Sequence, residues 1–249
     1  MDWSTIYMIW LRDLIRYVRQ RSRLYSSIAR PILWLFILGS GLRPSFGAIQ
    51  GYNYTQFIFP GIISMALIFT AIQSAISIIW DREFGFLKEI LVAPVPRTAI
   101  AVGKALAGST LSVIQGTLIL IFAPLVKIPI AWHNILVLIP AMFLISFALV
   151  GIGIIIASRM TSFEGFGTIM NFLIMPMFFL SGAVFPVTGL PEWLKIVVYL
   201  NPLTYGVDLL RKIVLGISTF SIALDCSILV IFGIAVIFFA VLFFNRGEY

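Results

Sequence analysis

The sequence predicts an all-α polytopic membrane protein, and three observations carry that prediction. Hydrophobic residues make up 61% of the 249 positions and charged residues only 11%, whereas a soluble domain carries roughly 25% charged residues. Mean hydropathy is +1.07, more apolar surface than a core of this size can hide from water. The apolar residues also gather into runs near the ~20 residues with which a helix crosses a bilayer. Lipid is therefore the solvent for most of the chain. Soluble enzyme, disulfide scaffold and nucleic-acid binder are excluded as classes. The net charge of +7 reads as an orientation signal rather than as a nucleic-acid footprint.

Residues 1–25 come first and form an interfacial helix. Trp3, Tyr7, Trp10, Leu14 and Tyr17 recur at alternating spacings of four and three, making one apolar stripe. Arg12, Arg16, Arg19 and Arg23 make a second stripe roughly opposite, blurred at its end by Arg21. Such a helix lies at headgroup depth with its arginines facing anionic lipid or a partner. It serves as a topogenic anchor or as a partner contact. A secretory signal is not expected, because Arg12 to Arg23 occupy the place of its apolar region.

Six spans follow, near 26–42, 57–79, 104–126, 135–157, 168–187 and 221–244. The first is the least apolar, and Arg30 must snorkel from within it to one interface. Pro60, Pro124, Pro140 and Pro176 lie in or near spans, where neighbouring helices can satisfy the freed carbonyls. Six spans put both termini on one side. The terminal segments together with the 80–104 and 158–167 loops hold twelve Lys and Arg, and the opposite loops hold five: Arg43, Lys127, Lys195, Arg211 and Lys212. The positive-inside rule then makes both termini cytoplasmic.

The membrane core is poor in chemistry. Asp225 is the one ionisable residue expected within the five clear spans, and the only histidine, His133, sits beside Trp132 in a short outer loop. One His and one Cys (Cys226) cannot build a metal cluster or a disulfide, and no Ser-His-Asp set or paired intramembrane carboxylates appear. Ion-coupled carriers and intramembrane hydrolases lose support. No P-loop is present either, since Gly103-Lys104-Ala105 lacks the earlier Gly and the Ser/Thr.

Two connections carry information. Between spans 2 and 3, Asp81, Arg82, Glu83, Phe84, Leu87, Lys88 and Glu89 mix both charges with apolar residues, and Phe84, Leu87, Ile90 and Leu91 recur at helical spacing. Pro94 and Pro96 then stop the helix before Arg97. A short amphipathic helix with a stiff exit suits contact with a cytoplasmic partner. Residues 188–216 form the second connection. Pro191 opens a helix that contains Glu192, and Asn201-Pro202 breaks it ahead of a second helix containing Tyr205. Helices over 191–200 and 203–215 are too short to span, so an outer re-entrant hairpin is expected. Asp208 is placed at helical spacing to pair with Arg211 or Lys212.

The run Trp80 to Arg97, above all Leu91-Val92-Ala93-Pro94-Val95-Pro96-Arg97, resembles the loop of the ABC-2 family of ATP-binding-cassette transporter permeases. The stretch Phe179 to Pro186, with Leu190-Pro191 and Leu200-Asn201-Pro202-Leu203-Thr204-Tyr205, resembles it more specifically. The similarity is to the branch of daunorubicin-resistance and nodulation-type exporters, and it covers nearly the whole chain as a single domain, 1–249. It implies a homodimer of this chain in the cell membrane, bound to two copies of a separate ATPase that holds the ATP and Mg. No cofactor is implied for this chain. Residues Asp81 to Arg97 would form the coupling helix, and Arg159, Phe163 and Glu164 a second cytoplasmic contact. The pathway would run between protomers along spans 2 and 5, near Phe69, Gln73, Asn171, Met175, Phe178 and Phe179. The implied cargo is a lipophilic or amphiphilic compound, with lipid-linked polysaccharide or lipo-oligosaccharide as the alternative. A membrane enzyme or channel that works without ATP is the reading from another class.

Overall fold

The computed structural model describes residues 2–42, 44, 47–84 and 96–246, and among these it is helical with no strand. Helix α1 (Trp3–Arg19) is capped by Asp2, whose carboxylate accepts from the Ser4 and Thr5 amides. Then come α2 (Arg21–Gly41), α3 (Tyr54–Ser74), α4 (Ile76–Glu83) and α5 (Arg97–Leu120). The chain continues as α6 (Trp132–Arg159), α7 (Phe163–Phe179), α8 (Glu192–Leu200), α9 (Pro202–Leu215) and α10 (Ile222–Arg246).

Among the described residues, three segments are long and apolar enough to cross a membrane: Tyr54–Glu83, which joins α3 and α4, Trp132–Arg159, and Ile222–Phe243. Helix α7 is apolar but shorter, at 17 residues. The expected first and third spans correspond to α2 and α5, of 21 and 24 residues. At 1.5 Å per residue both reach ~30 Å or more, yet both are diluted by polar groups. Helix α5 buries Lys104, Ser109, Ser112 and Gln115 on faces turned toward other helices. Ser109 and Ser112 donate to the carbonyls four residues back, so neither hydroxyl is left unsatisfied.

Several boundaries differ from the sequence expectation. The fifth span was expected over 168–187, but α7 ends at Phe179. Gly182 follows at a φ of +73°, a left-handed turn that Gly enters without a Cβ penalty. Helix α5, the expected third span, starts at Arg97 rather than 104 and stops at Leu120, with Pro124 in a 3₁₀ turn over Ala123–Val126. Helices expected over 191–200 and 203–215 are present as α8 and α9.

Helix α3 is the axis of the bundle. Seventeen of its 21 residues are buried, and its apolar character on every side is what burial on every side requires. It packs against α2, α5, α6, α7 and α9, while α10 lies along α6 and α1 lies along α5. Close approach of α6 to α3 depends on Gly153, where a Cβ would stand 2.6 Å from the Ile72 carbonyl oxygen.

Candidate functional site

An ionic cluster at one end of the bundle draws three helices together. It begins with α1, whose buried face is Ile6, Ile9, Asp13 and Tyr17. Trp3 and Tyr7 of the aromatic stripe are 69% and 55% exposed, so the face that packs on protein is offset from that stripe. A wheel shows which side is apolar but not what covers it, and α5 covers the side of Ile6, Ile9 and Tyr17. Ile9 faces Gly103, Trp10 Nε1 donates to Thr110 Oγ1 at 3.0 Å, and the Tyr17 hydroxyl donates to Gln115 Oε1 at 3.1 Å. A carboxylate in the middle of that face must be matched by a cation.

Lys104 supplies the match. Its Nζ lies 2.9 Å from Asp13 Oδ2 and 2.7 Å from Asp81 Oδ2, and it donates to Ser77 Oγ at 2.9 Å. Arg12 Nη2 reaches Asp81 Oδ2 at 2.6 Å and Asp13 Oδ1 at 3.1 Å. Arg16 Nη1 stands 3.6 Å from Asp81 Oδ1. Asp13, Asp81 and Lys104 are each 7% exposed or less. Burial alone would push the Asp13 carboxyl up, but Lys104 and then Arg12 outweigh it and hold the group below the ordinary 3.8. Arg12 is thus turned inward, not toward lipid. Asp81 likewise faces the cluster, although a partner contact was expected of it.

These contacts grip both stems of the segment between α4 and α5. Asp81 and Arg82 sit in the last turn of α4, and Lys104 lies in the second turn of α5. Arg82 donates to the Met160 carbonyl and, at 2.9 Å, to the Ser158 carbonyl. Carbonyls at a helix C-terminus lack intrahelical partners, and a cation there also complements the helix dipole. Trp80 stacks on Phe84 with centroids 5.0 Å apart and meets Phe163 at 4.8 Å, with the Arg16 guanidinium 5.2 Å over its ring. The stems of the two connections expected to meet a partner therefore touch each other. Glu83, Phe84, Arg159 and Glu164 are exposed and Arg97 is half-buried. Arg159 lies over the Phe243 ring. Leu87, Lys88 and Glu89 lie outside the described residues.

The expected pathway residues separate into two places. Phe69 and Gln73 line one cleft with Arg16 and Arg30. On α7, Asn171 is exposed, Met175 and Phe179 are half-buried and Phe178 is buried. Phe179 meets Trp34 of α2 edge to face at 6.2 Å.

At the opposite end, Asn201 works as a joint. Its Nδ2 donates to the Met177 carbonyl at 2.6 Å and to Leu180 at 3.1 Å, and its Oδ1 accepts from the Leu203 amide. Pro202 occupies the first turn of α9. Tyr205 donates to the Tyr199 carbonyl at 2.8 Å. Pro191 precedes α8, where Glu192 pairs with Lys195 at 2.7 Å. Asp208 does not pair as expected. Its carboxylate accepts from the Thr219 and Phe220 amides, while Arg211 donates to the Gly182 carbonyl at 2.8 Å and lies 4.1 Å over the Phe57 ring. Helical spacing placed these side chains near one another, but loop amides reached the carboxylate at shorter range.

Asp13 was the residue the sequence reading passed over. Its signal was an acid on the buried face of α1, visible once Ile6, Ile9, Asp13 and Tyr17 are aligned at spacings of three and four.

The sequence profile described as ABC-2 type transporter matches residues 4–215. The ycf38 transport permease of Cyanophora paradoxa is 31% identical over 83% of this chain and 72% of its own length. Nodulation protein J of Rhizobium leguminosarum bv. viciae is 27% identical over 92% of this chain and 87% of its own. The inner membrane transport permease YadH of Escherichia coli K12 is 27% identical over 94% and 91%.

Proposed function

The chain belongs to the ABC-2 type transporter family, and from that premise we propose that it is the membrane subunit of an ATP-driven exporter of lipophilic or amphiphilic compounds. In this reading it crosses the inner membrane six times, with both termini in the cytoplasm. It works as a homodimer on two copies of a separate ATPase, which alone binds ATP and Mg.

The observation that supports coupling is the double grip on the 85–95 segment. Its stems are held by Asp81 and Lys104 in one cluster with Arg12 and Asp13. A displacement of that segment is delivered to α1, α4 and α5 together, because moving one of them alone leaves a buried charge without its partner, at a cost of about 3–5 kcal/mol. Phe84 and Leu87 then serve as the apolar anchor on the ATPase and the acids Glu83 and Glu89 orient it at the rim. The exposed polar Asn171 beside Phe172, which is 81% exposed, supports a covered face on α7 where a second copy packs.

Co-expression with candidate ATPases, followed by ATP turnover with and without test compounds, checks the reading. Phe84→Ala and Leu87→Ala are expected to weaken ATPase association or uncouple hydrolysis from transport while insertion stays intact. Glu83→Lys should do more damage than Glu83→Gln. Normal stimulated hydrolysis in all four variants removes the coupling role. A purified complex holding one copy of this chain per two ATPases removes the homodimer. Stimulation by a lipid-linked glycan, and none by lipophilic drugs, replaces the cargo class with its alternative.

A further inference from the structure

The cleft that holds Phe69 and Gln73 has features that helix packing does not require. It offers about 80 Å³ of accessible volume, partly open to the exterior, between α1, α2, α3, α4 and α5. Two guanidinium groups line it. Arg30 stands 4.8 Å over the Phe69 ring and Arg16 stands 5.2 Å over Trp80. Stacking on a ring occupies the face of a guanidinium and leaves its in-plane N–H donors directed outward.

The acids nearby are already matched. Asp13 also lines the cleft, but it is bound by Lys104 and Arg12. Asp81 accepts from Arg12 and Lys104 at 2.6 and 2.7 Å, closer than its 3.6 Å contact with Arg16. Arg30 makes no ion pair among the described residues. It is exposed at the start of an apolar run of α2, where an interfacial cation favours an anionic partner. Leu33 and Ile37 continue the face of Arg30 at helical spacing and are 58% and 61% exposed. The cleft therefore pairs a cationic pocket with an apolar exit.

We propose that this cleft binds the phosphate-type anionic headgroup of an amphiphile, between Arg16 and Arg30, with its tail lying along Leu33 and Ile37 of α2. Gln73 and Gln20, which line the same cleft, supply neutral donors to the headgroup. The site stands whether or not the chain exports the molecule it binds.

Native mass spectrometry of the intact chain in a non-ionic detergent tests it, with dodecyl phosphate, dodecyl phosphocholine and inorganic phosphate as probes. One dodecyl phosphate is expected to bind saturably, with dodecyl phosphocholine and inorganic phosphate each weaker by roughly tenfold or more, the scale of one lost charge-assisted contact. Arg30→Gln and Arg16→Gln should each weaken dodecyl phosphate about tenfold. Arg30→Lys keeps the charge, and with it the fold, but should still weaken binding severalfold because an ammonium lacks the planar fork. The surface variant Arg19→Gln should bind as the parent does. Equal affinity for inorganic phosphate overturns the amphiphile, equal affinity for phosphocholine overturns the anion, and unchanged binding in folded Arg30→Lys and Arg16→Gln overturns the site. No ATPase enters the measurement, so failure here leaves the export reading intact, and failure of ATPase pairing leaves this site intact.

Discussion

Lys104 Nζ lies 2.9 Å from Asp13 Oδ2, with both side chains withdrawn from solvent. That contact joins the first helix of the chain to the helix that follows the 85–95 segment. Buried ion pairs are seldom a net gain over apolar packing, but breaking one side strands the other charge at about 3–5 kcal/mol. Asp13→Ala or Lys104→Met alone is therefore expected to lower the thermal midpoint of the purified chain strongly. Asp13→Leu combined with Lys104→Met should recover part of that loss, and melting curves of the three variants read the difference.

The pH dependence follows from the same pair. Asp13 is held below 3.8 in the folded chain, so unfolding takes up a proton once the pH nears that value. The stabilisation is complete above 3.8 and is lost as pH falls through the lower folded value. Thermal midpoints of the parent should thus hold down to about pH 5 and drop below about pH 4. The drop should be shallower in Asp13→Asn, whose side chain no longer titrates.

Arg82 ties the end of α6 to the end of α4. Arg82→Ala removes two charge-assisted contacts to the Ser158 and Met160 carbonyls, each worth about 1.5–3 kcal/mol in favourable settings. The expected outcome is faster proteolytic cleavage between residues 158 and 163, with little change elsewhere. Arg82→Lys should fall between, since one ammonium cannot address both carbonyls with a planar fork.

Gly153 permits close backbone contact between α6 and α3 in the bundle core. A Cβ there meets backbone at 2.6 Å, not a movable side-chain end. Gly153→Ala is expected to cost at least about 1–3 kcal/mol and Gly153→Val more, read as lower melting temperature or loss of folded yield.

Sidedness is open to direct labelling. In a Cys226→Ser background, a cysteine at 163 should react only with reagent supplied from the cytoplasm, and one at 195 only from outside. Reaction of both from the same side would contradict the single crossing assigned between them.

Composition and periodicity determined that this chain is helical and lipid-solvated, because backbone in a bilayer must satisfy itself within each helix and 61% hydrophobic content leaves no aqueous alternative. The breaks at Asn201-Pro202 and after Arg159 were legible for the same local reason: proline and loop-forming residues act within a few positions. The ends of α5 and α7 were less legible, since apolar residues continue past Leu120 and Phe179 and only local turn geometry stops each helix. The partners of the charges were not legible at all. Asp13, Asp81 and Lys104 are brought together by the packing of α1 and α4 against α5, and Asp208 finds the Thr219 and Phe220 amides through the loop that returns to it. Periodicity is a property of one helix, whereas a buried charge is satisfied by whichever group three-dimensional packing carries within about 3 Å, and that distance is decided by the tertiary structure alone.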